Sequence, residues 1–114
     1  MDAIAKRTLE LRTATGSIEV VVALGRPEQV AEDEWKCVWE VTYAGDTKSR
    51  PAIGGDSMQA LQLAMVTLDV ELEQGAKRRS GRLFHLDEPF TSVLENSGMQ
   101  KKPPSTATPS GGAA

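Results

Sequence analysis

His85 and Cys37 are the single histidine and the single cysteine of this 114-residue chain, and these residue types often act as general base and nucleophile. Asp87 and Glu88 follow His85 closely, and Ser57 is a second candidate nucleophile. Together these residue types make up a nominal set for nucleophilic catalysis. No motif or spacing fixes a partner for His85, however, so a solvated or partly packed histidine is favoured.

Cys37 alternates with Trp35 and Trp39, which places all three on one apolar face of a strand. A reactive thiolate needs a nearby positive charge or a helix N-terminus, whereas apolar surroundings raise the thiol pKa. We therefore interpret Cys37 as a buried structural residue. Because one cysteine cannot form an internal disulfide, the expected compartment is the cytosol.

The segment Gly54-Gly55-Asp56-Ser57 precedes a helix, where free amides and the helix dipole could bind an anion. The longer glycine pattern and the lysine of a phosphate loop are missing, and the carboxylate of Asp56 occupies the position of the anion. A turn with a helix cap is favoured. A zinc site would need at least two carboxylate ligands, which is uncommon for zinc. The sequence therefore predicts no catalytic residues, no metal and no cofactor.

The densest charge cluster in the sequence is acidic. It consists of Glu28, Glu32, Asp33 and Glu34. Such a run is usually a solvated surface, but it can also attract a basic partner at long range and accelerate association. These four residues are the candidate partner-binding residues.

A basic cluster lies farther along the chain. Its members are Lys77, Arg78, Arg79 and Arg82. They could contact phosphates, but no aromatic side chains are interleaved with them, and the chain has a net charge of −3. Nucleic-acid binding is therefore disfavoured. No apolar run is long enough to span a membrane, so no membrane association is expected.

Three segments alternate between apolar and polar residues with the period of a strand. They centre on Leu9–Leu11, Ile18–Leu24 and Trp35–Tyr43. Residues 14–16 predict a hairpin between the first two strands. The stretches Arg26–Glu34 and Gly45–Pro51 are interpreted as loops.

A helix is predicted from about Asp56 to Glu73. Asp56 is the expected N-cap, Gln59 is placed to bond back to the Asp56 amide, and Gly75 is the expected stop. One apolar stripe, predicted to pack on the sheet, contains Met58, Leu61, Ala64, Met65, Leu68 and Leu72.

A second apolar stripe on the helix contains Leu63, Val66 and Val70. One sheet face cannot cover both stripes, so either the segment Leu83–Leu94 or a second copy of the chain must cover this one. Connected elements usually pack as neighbours, which favours cover by the same chain. A monomer is therefore favoured over a homodimer through Leu63, Val66 and Val70.

The predicted fold class is α+β with two layers. An antiparallel sheet of three or four strands, in the order β-β-β-α, packs on one long helix. Residues around Leu83–Leu86 either add an edge strand or cap the helix, and a short helix is predicted over Pro89–Asn96. Residues 1–97 form the single domain, and residues 98–114, rich in small and polar residues, form a disordered tail.

The Trp-Lys-Cys strand at residues 35–37, followed by Gly-Asp-Ser-Met-Gln-Ala-Leu-Gln-Leu-Ala at 55–64, resembles a family of small bacterial proteins grouped as a domain of unknown function. The resemblance implies a compact α+β domain and supplies no catalytic residues. Some small acidic bacterial α+β proteins are immunity partners of secreted toxins, which is an analogy of size and charge.

The leading functional hypothesis is a non-enzymatic domain, immunity-like or adaptor-like, that binds a basic protein through its acidic surface. It is motivated by the small size of the chain, the missing catalytic motif and the cluster at residues 28–34. The alternative is a small enzyme or ligand-binding module built around His85, with Asp87 or Glu88 beside a pocket.

Overall fold

The structure, a computed structural model, describes residues 1–95 of the 114. It contains an antiparallel sheet and one helix. In chain order the elements are β1 (Ala3–Thr13), β2 (Gly16–Gly25), β3 (Glu28–Ala31), β4 (Glu34–Tyr43), β5 (Asp46–Gly54), α1 (Ser57–Arg78), β6 (Arg82–His85) and β7 (Glu88–Pro89). The α+β class is confirmed, but the prediction of three or four strands is wrong, because the sheet has seven within residues 1–95. The expected tail at residues 98–114 lies outside the described residues.

Most of the sheet is a meander of β1, β2, β4 and β5, and β6 and β7 extend the sheet beyond β1. Its spatial order is β7-β6-β1-β2-β4-β5, and every neighbouring pair is antiparallel. The predicted hairpin at residues 14–16 is confirmed, since Thr13 pairs with Gly16. The segment around Leu83 adds a strand, β6, to the free edge of β1.

The predicted loop at Arg26–Glu34 is instead largely a strand. β5 occupies one edge of β4 along its length, so β3 lies on the same edge as β2 and continues its line, with Glu28 paired to Lys36. Pairing with β4 is interrupted at Arg26 and Pro27, because proline has no amide proton to donate. The Arg26 amide instead donates to the Asp2 carbonyl oxygen at 2.9 Å.

β5 replaces the second predicted loop. Its sequence is polar and contains Pro51, which argues against a central strand but is tolerated at a sheet edge. Ala44 and Gly45 connect it to β4, both with positive φ angles of 50° and 93°, as a two-residue type I′ hairpin requires. Nine residue pairs then join β4 and β5.

The helix begins as the sequence predicts. The Asp56 Oδ1 atom accepts the Gln59 amide at 2.8 Å, which confirms the N-cap. The return bond differs by one residue, because Gln59 Oε1 accepts the amide of Gly55 at 2.6 Å rather than that of Asp56. Two backbone amides at the helix start are therefore each bonded to a side-chain oxygen.

The predicted helix end at Glu73 is wrong, because α1 continues to Arg78 with Gly75 inside it. A Cβ atom at residue 75 would overlap the Tyr43 hydroxyl oxygen. Gly75 is therefore present to let the tyrosine approach the helix, not to end it. The chain leaves the helix after Arg79, where Ser80 has a φ of 52°.

The core lies between α1 and one face of the sheet. On the helix side it contains Ala60, Ala64, Leu68 and Leu72, so the buried face is rotated from the predicted stripe. Met58 is 64% exposed, while Leu61 and Met65 are partly buried. Small alanine side chains allow the helix backbone to approach the sheet. On the strands, the larger core side chains are Leu9, Leu11, Val20, Val22, Trp39, Val41 and Tyr43.

The segment after β6 packs at the side of α1. Phe90 is buried, and both carboxylate oxygens of Asp69 accept bonds, from the Ser92 hydroxyl at 2.6 Å and the Val93 amide at 2.8 Å. The short helix predicted over Pro89–Asn96 is wrong as far as residue 95, because Pro89 ends β7, residues 90–92 are irregular and residues 93–95 form a turn. Asn96 lies outside the described residues.

This segment does not cover the second helix stripe. Leu63, Val66 and Val70 are 38%, 46% and 54% exposed, so the expectation of cover by residues 83–94 is wrong. Asp69 holds the segment on the side of α1 that faces β1 and β6. Within residues 1–95, no helix is long and apolar enough to cross a membrane.

Candidate functional site

The hairpin between β3 and β4 carries the four candidate partner-binding residues. Glu28 opens β3, Glu32 and Asp33 form the turn, and Glu34 opens β4. All four side chains are exposed, and we call them the acidic tip. The Gln29 side chain donates to the Glu32 carbonyl oxygen at 3.1 Å and holds the turn.

The acidic tip is free of internal ion pairs, as far as residues 1–95 show. None of its four carboxylates forms a salt bridge there, although Lys36 is the cross-strand neighbour of Glu28. Every residue of β3 is exposed, including Val30 at 49%. The tip thus presents uncompensated negative charge next to an exposed apolar side chain.

The structure does not bring the candidate nucleophiles to His85. Cys37 lies in β4 and His85 in β6, three strand positions apart, which corresponds to roughly 14 Å across a sheet. Cys37 is buried, its thiol donates to the Gly25 carbonyl oxygen at 3.4 Å, and burial raises its pKa. Ser57 begins α1 beside the end of β5.

His85 is partly buried, and its pKa is lowered by burial and then by the positive charge of Arg7. Asp87 Oδ1 accepts a bond from Arg12 at 2.8 Å. Glu88 pairs with His85 in the β6–β7 register. In the described part of the chain, no three histidine, cysteine or acidic residues are grouped as metal ligands.

The basic cluster is used largely within the fold. Arg78 bonds to Glu71 at 2.9 Å, and Lys77 lies 3.5 Å from Glu73. The Arg79 guanidinium stacks 3.9 Å from the ring centre of Tyr43. These contacts give three of the four basic residues partners within the fold, near the C-terminal end of the helix, where the helix dipole favours positive charge.

A buried carboxylate, Glu71, was not identified by sequence reasoning. It lies on the buried face of α1, and its oxygens accept bonds from Lys48 at 2.9 Å, Arg78 at 2.9 Å and the Tyr43 hydroxyl at 3.0 Å. Burial would raise its pKa, but these donors outweigh burial and hold the pKa below its ordinary value. The signal in the sequence is the position of Glu71, which directly precedes the core residue Leu72.

Within residues 1–95, these features define a class of protein: an antiparallel sheet with a single helix packed on one face and an acidic hairpin tip. The chain belongs to the family described as Domain of unknown function (DUF6968), whose model matches residues 5–93. The resemblance to a domain of unknown function is thereby confirmed. No curated protein and no solved structure matches the chain.

Proposed function

We propose that this protein is a non-enzymatic protein-interaction domain that binds a basic protein partner through the acidic tip. The observation that carries the proposal is that four exposed carboxylates on one hairpin have no ion-pair partner within residues 1–95. Glu19 and Asp46 are also exposed and without an ion pair in this range, but they lie on different strands, whereas the tip groups four such carboxylates on one hairpin. Unpaired charge at the tip is available to a partner.

The geometry of the tip supports rapid recognition. The four carboxylates lie on one hairpin, and its exposed strand β3 adds backbone groups and Val30 to the charged side chains. Like charges held close together raise the local potential, which speeds encounter with a basic surface. We propose that the protein acts in the bacterial cytosol, because a single buried cysteine is typical of a reducing compartment.

Reversing the charge of Glu32, Asp33 and Glu34 to lysine is expected to abolish partner recovery. The wild-type chain, tagged and used as bait in lysate of its source organism at low salt, should capture a basic protein identifiable by mass spectrometry. Affinity for the purified partner should fall about tenfold or more in the reversed variant. Raising the salt concentration should also weaken the wild-type complex, because salt screens the attraction between the acidic tip and a basic partner.

A matched control carries the same change of net charge elsewhere. Glu19, Asp46 and Glu73 are exposed and lie away from the tip, so their triple reversal to lysine should preserve binding. Equal loss in both variants would show that only net charge matters. That result, or a wild-type bait that captures no protein, would contradict the proposal.

We further propose that the chain is a monomer. The reason is not that its C-terminal segment covers the second helix stripe, because that segment packs elsewhere. Leu63, Val66 and Val70 are each only partly exposed on a helix face that also carries Gln62 and Glu73. A specific interface buries at least about 600 Å² on each partner, much more than three half-exposed aliphatic side chains can offer. The stripe therefore stays in contact with solvent.

Replacing Val66 with glutamate is expected to change little. The molar mass by light scattering should remain that of one chain, and the free energy of unfolding should change by no more than about 0.5 kcal/mol. A wild-type mass of two chains that falls to one in the variant would demonstrate a helix-to-helix dimer. A loss of about 2 kcal/mol at constant mass would instead show that part of the chain covers Val66.

A further inference from the structure

The strand β5 forms one edge of the sheet. Within residues 1–95 it pairs only with β4, so no neighbouring strand occupies its second side. Tyr43 and Asp46 close the two-residue hairpin between these strands, and a closing pair of this kind exchanges both of its backbone hydrogen bonds. Bonded and non-bonded pairs alternate along an antiparallel ladder, so every second residue of β5, beginning with Thr47, directs its backbone groups away from β4.

The outward-facing positions are Thr47, Ser49, Pro51 and Ile53, and all four are exposed. Pro51 has no amide proton, and at an outward-facing position this costs no bond to β4. The other three residues each have an amide and a carbonyl group on this side. The open edge of β5 can therefore form main-chain hydrogen bonds with one further extended strand.

The helix lies close to the open edge. It packs over β4 and β5, and the Trp39 Nε1 atom donates to the Thr67 hydroxyl at 2.9 Å. Between α1 and β5 is an open groove with a volume of about 300 Å³, which Val70 lines from the helix. Val70 is 54% exposed in the unbound chain. A strand added to β5 would direct alternate side chains to the helix side of the sheet, where Val70 lies.

This groove is positively charged. Its lining contains three basic residues, Lys48, Arg50 and Arg78. Glu71 is the one acid among the described lining residues, and its oxygens already accept bonds from Lys48 and Arg78. Arg50 is exposed and forms no salt bridge within residues 1–95. Its Nη1 atom donates to the carbonyl oxygen of Ser49 at 3.0 Å, so the guanidinium lies along the outward-facing backbone of β5.

We propose that the open edge of β5 binds an extended acidic segment of a partner protein as an additional strand. Main-chain hydrogen bonds to β5 provide affinity without a large apolar area. Side chains on the helix side provide selectivity, with a carboxylate beside Arg50 and an aliphatic side chain against Val70. A guanidinium and a carboxylate form charge-assisted bonds of matching geometry.

Charge argues against two other occupants of the edge. A second copy paired through β5 would place Lys48 and Arg50 close to the same residues of the copy, because a twofold interface is self-complementary. Residues 96–114 of the chain contain Lys101 and Lys102 and no acidic residue. An acidic partner segment, in contrast, compensates the excess positive charge of the groove.

The experiment is a titration of the ¹⁵N-labelled full chain with the synthetic peptide Thr-Glu-Thr-Val-Thr-Glu-Thr, blocked at both ends. We expect amide NMR shifts concentrated in β5 and around Val70, with a dissociation constant on the order of 1 mM. The amides of Thr47, Ser49 and Ile53 should exchange with solvent severalfold more slowly in the complex. No shifts at about 10 mM peptide would overturn the proposal. So would a mass of two chains with these amides protected before peptide is added.

Two further peptides separate strand addition from simple charge attraction, and neither comparison depends on the folding of a variant. Threonines three and five would have their amides toward β5, so proline at both positions should weaken binding about fivefold or more. Lysine in place of both glutamates should weaken binding about tenfold or more. Equal affinity of the proline peptide would contradict strand addition, and equal affinity of the lysine peptide would contradict selection by charge.

Arg50→Gln tests the assigned cation and should weaken binding of the glutamate peptide about fivefold or more. Arg82→Gln is the matched control, because Arg82 is exposed on β6, toward the opposite edge of the sheet. It removes the same charge and should change the affinity by less than about twofold. An equal effect of the two substitutions would show that Arg50 does not select the ligand. The acidic tip shares no residue with this site, so the two proposals are tested independently.

Discussion

Replacing Gly54 with alanine is expected to lower the free energy of unfolding by about 3 kcal/mol or more. Gly54 ends β5 directly beneath the first turn of α1. A Cβ atom there would lie 2.5 Å from the backbone nitrogen of Ala60 and 2.8 Å from the carbonyl carbon of Gln59. Backbone atoms of a capped helix cannot move aside as a flexible side chain can, so the helix must shift away from the sheet. Urea denaturation followed by circular dichroism measures the loss.

The neighbouring glycine provides the matched control. A Cβ atom at Gly55 would meet only the Gln59 Oε1 atom, at 3.4 Å, and Gly55 does not have a positive φ angle. Gly55→Ala should therefore change the free energy of unfolding by less than about 1 kcal/mol. If the two variants were equally stable, the close approach of β5 to α1 would be contradicted.

Replacing Glu71 with glutamine should lower the free energy of unfolding at pH 7 by about 2 kcal/mol. The buried carboxylate accepts three bonds at once, and the amide lacks the charge that pairs with Lys48 and Arg78. The Lys48 and Arg78 side chains are 38% and 50% exposed, so water solvates their charges in the variant and offsets part of the lost interaction energy. The estimate is accordingly smaller than for a fully buried pair.

The same variant should have a characteristic pH dependence. The pKa of Glu71 is below its ordinary value of 4.5 in the folded protein, so its contribution is complete above that value and is lost as the pH falls through the folded pKa. The stability difference between wild type and Glu71→Gln should therefore begin to shrink as the pH falls below 4.5. Urea denaturation at a series of pH values measures this difference.

Glu73→Gln is the control on the same helix. Glu73 is exposed and lies 3.5 Å from Lys77 in a surface pair of the i,i+4 type, which contributes no more than about 0.5 kcal/mol. Its variant should follow the wild-type pH profile closely. A Glu71→Gln variant whose deficit persisted unchanged at pH 3 would show that the carboxylate charge is not the stabilising element.

Three strands and the start of the helix could be predicted from local sequence patterns alone. The alternation of Leu9–Leu11, Ile18–Leu24 and Trp35–Tyr43 predicted three strands of the sheet, because side chains of a strand alternate between faces. Asp56 and Gln59 predicted the helix start, since capping depends on residues within one turn. The same reasoning placed Cys37 in the core and Glu28, Glu32, Asp33 and Glu34 together in one exposed segment.

The missed strands β3 and β5 show where local patterns are insufficient. Both have few buried side chains, and both contain or adjoin a proline, so neither shows the alternation of a half-buried strand. Their backbone groups are paired by β4, with β3 on one edge of β4 and β5 on the other. An edge strand of this kind therefore forms because a neighbouring strand pairs with its backbone, and its own residue pattern does not predict it.

Gly75, Glu71 and Arg7 were decided only by the tertiary structure. A glycine near a helix end usually stops the helix, but here it allows Tyr43, from the distant strand β4, to pack against α1. Glu71 is ionised in the core because three donors, two of them from β4 and β5, converge on it. The Arg7 Nη1 atom is buried and has no hydrogen-bond partner within residues 1–95. The sequence by itself determined which segments form strands and helix through short-range periodicity and capping, whereas long-range packing decided which polar side chains became buried, paired or left without a partner.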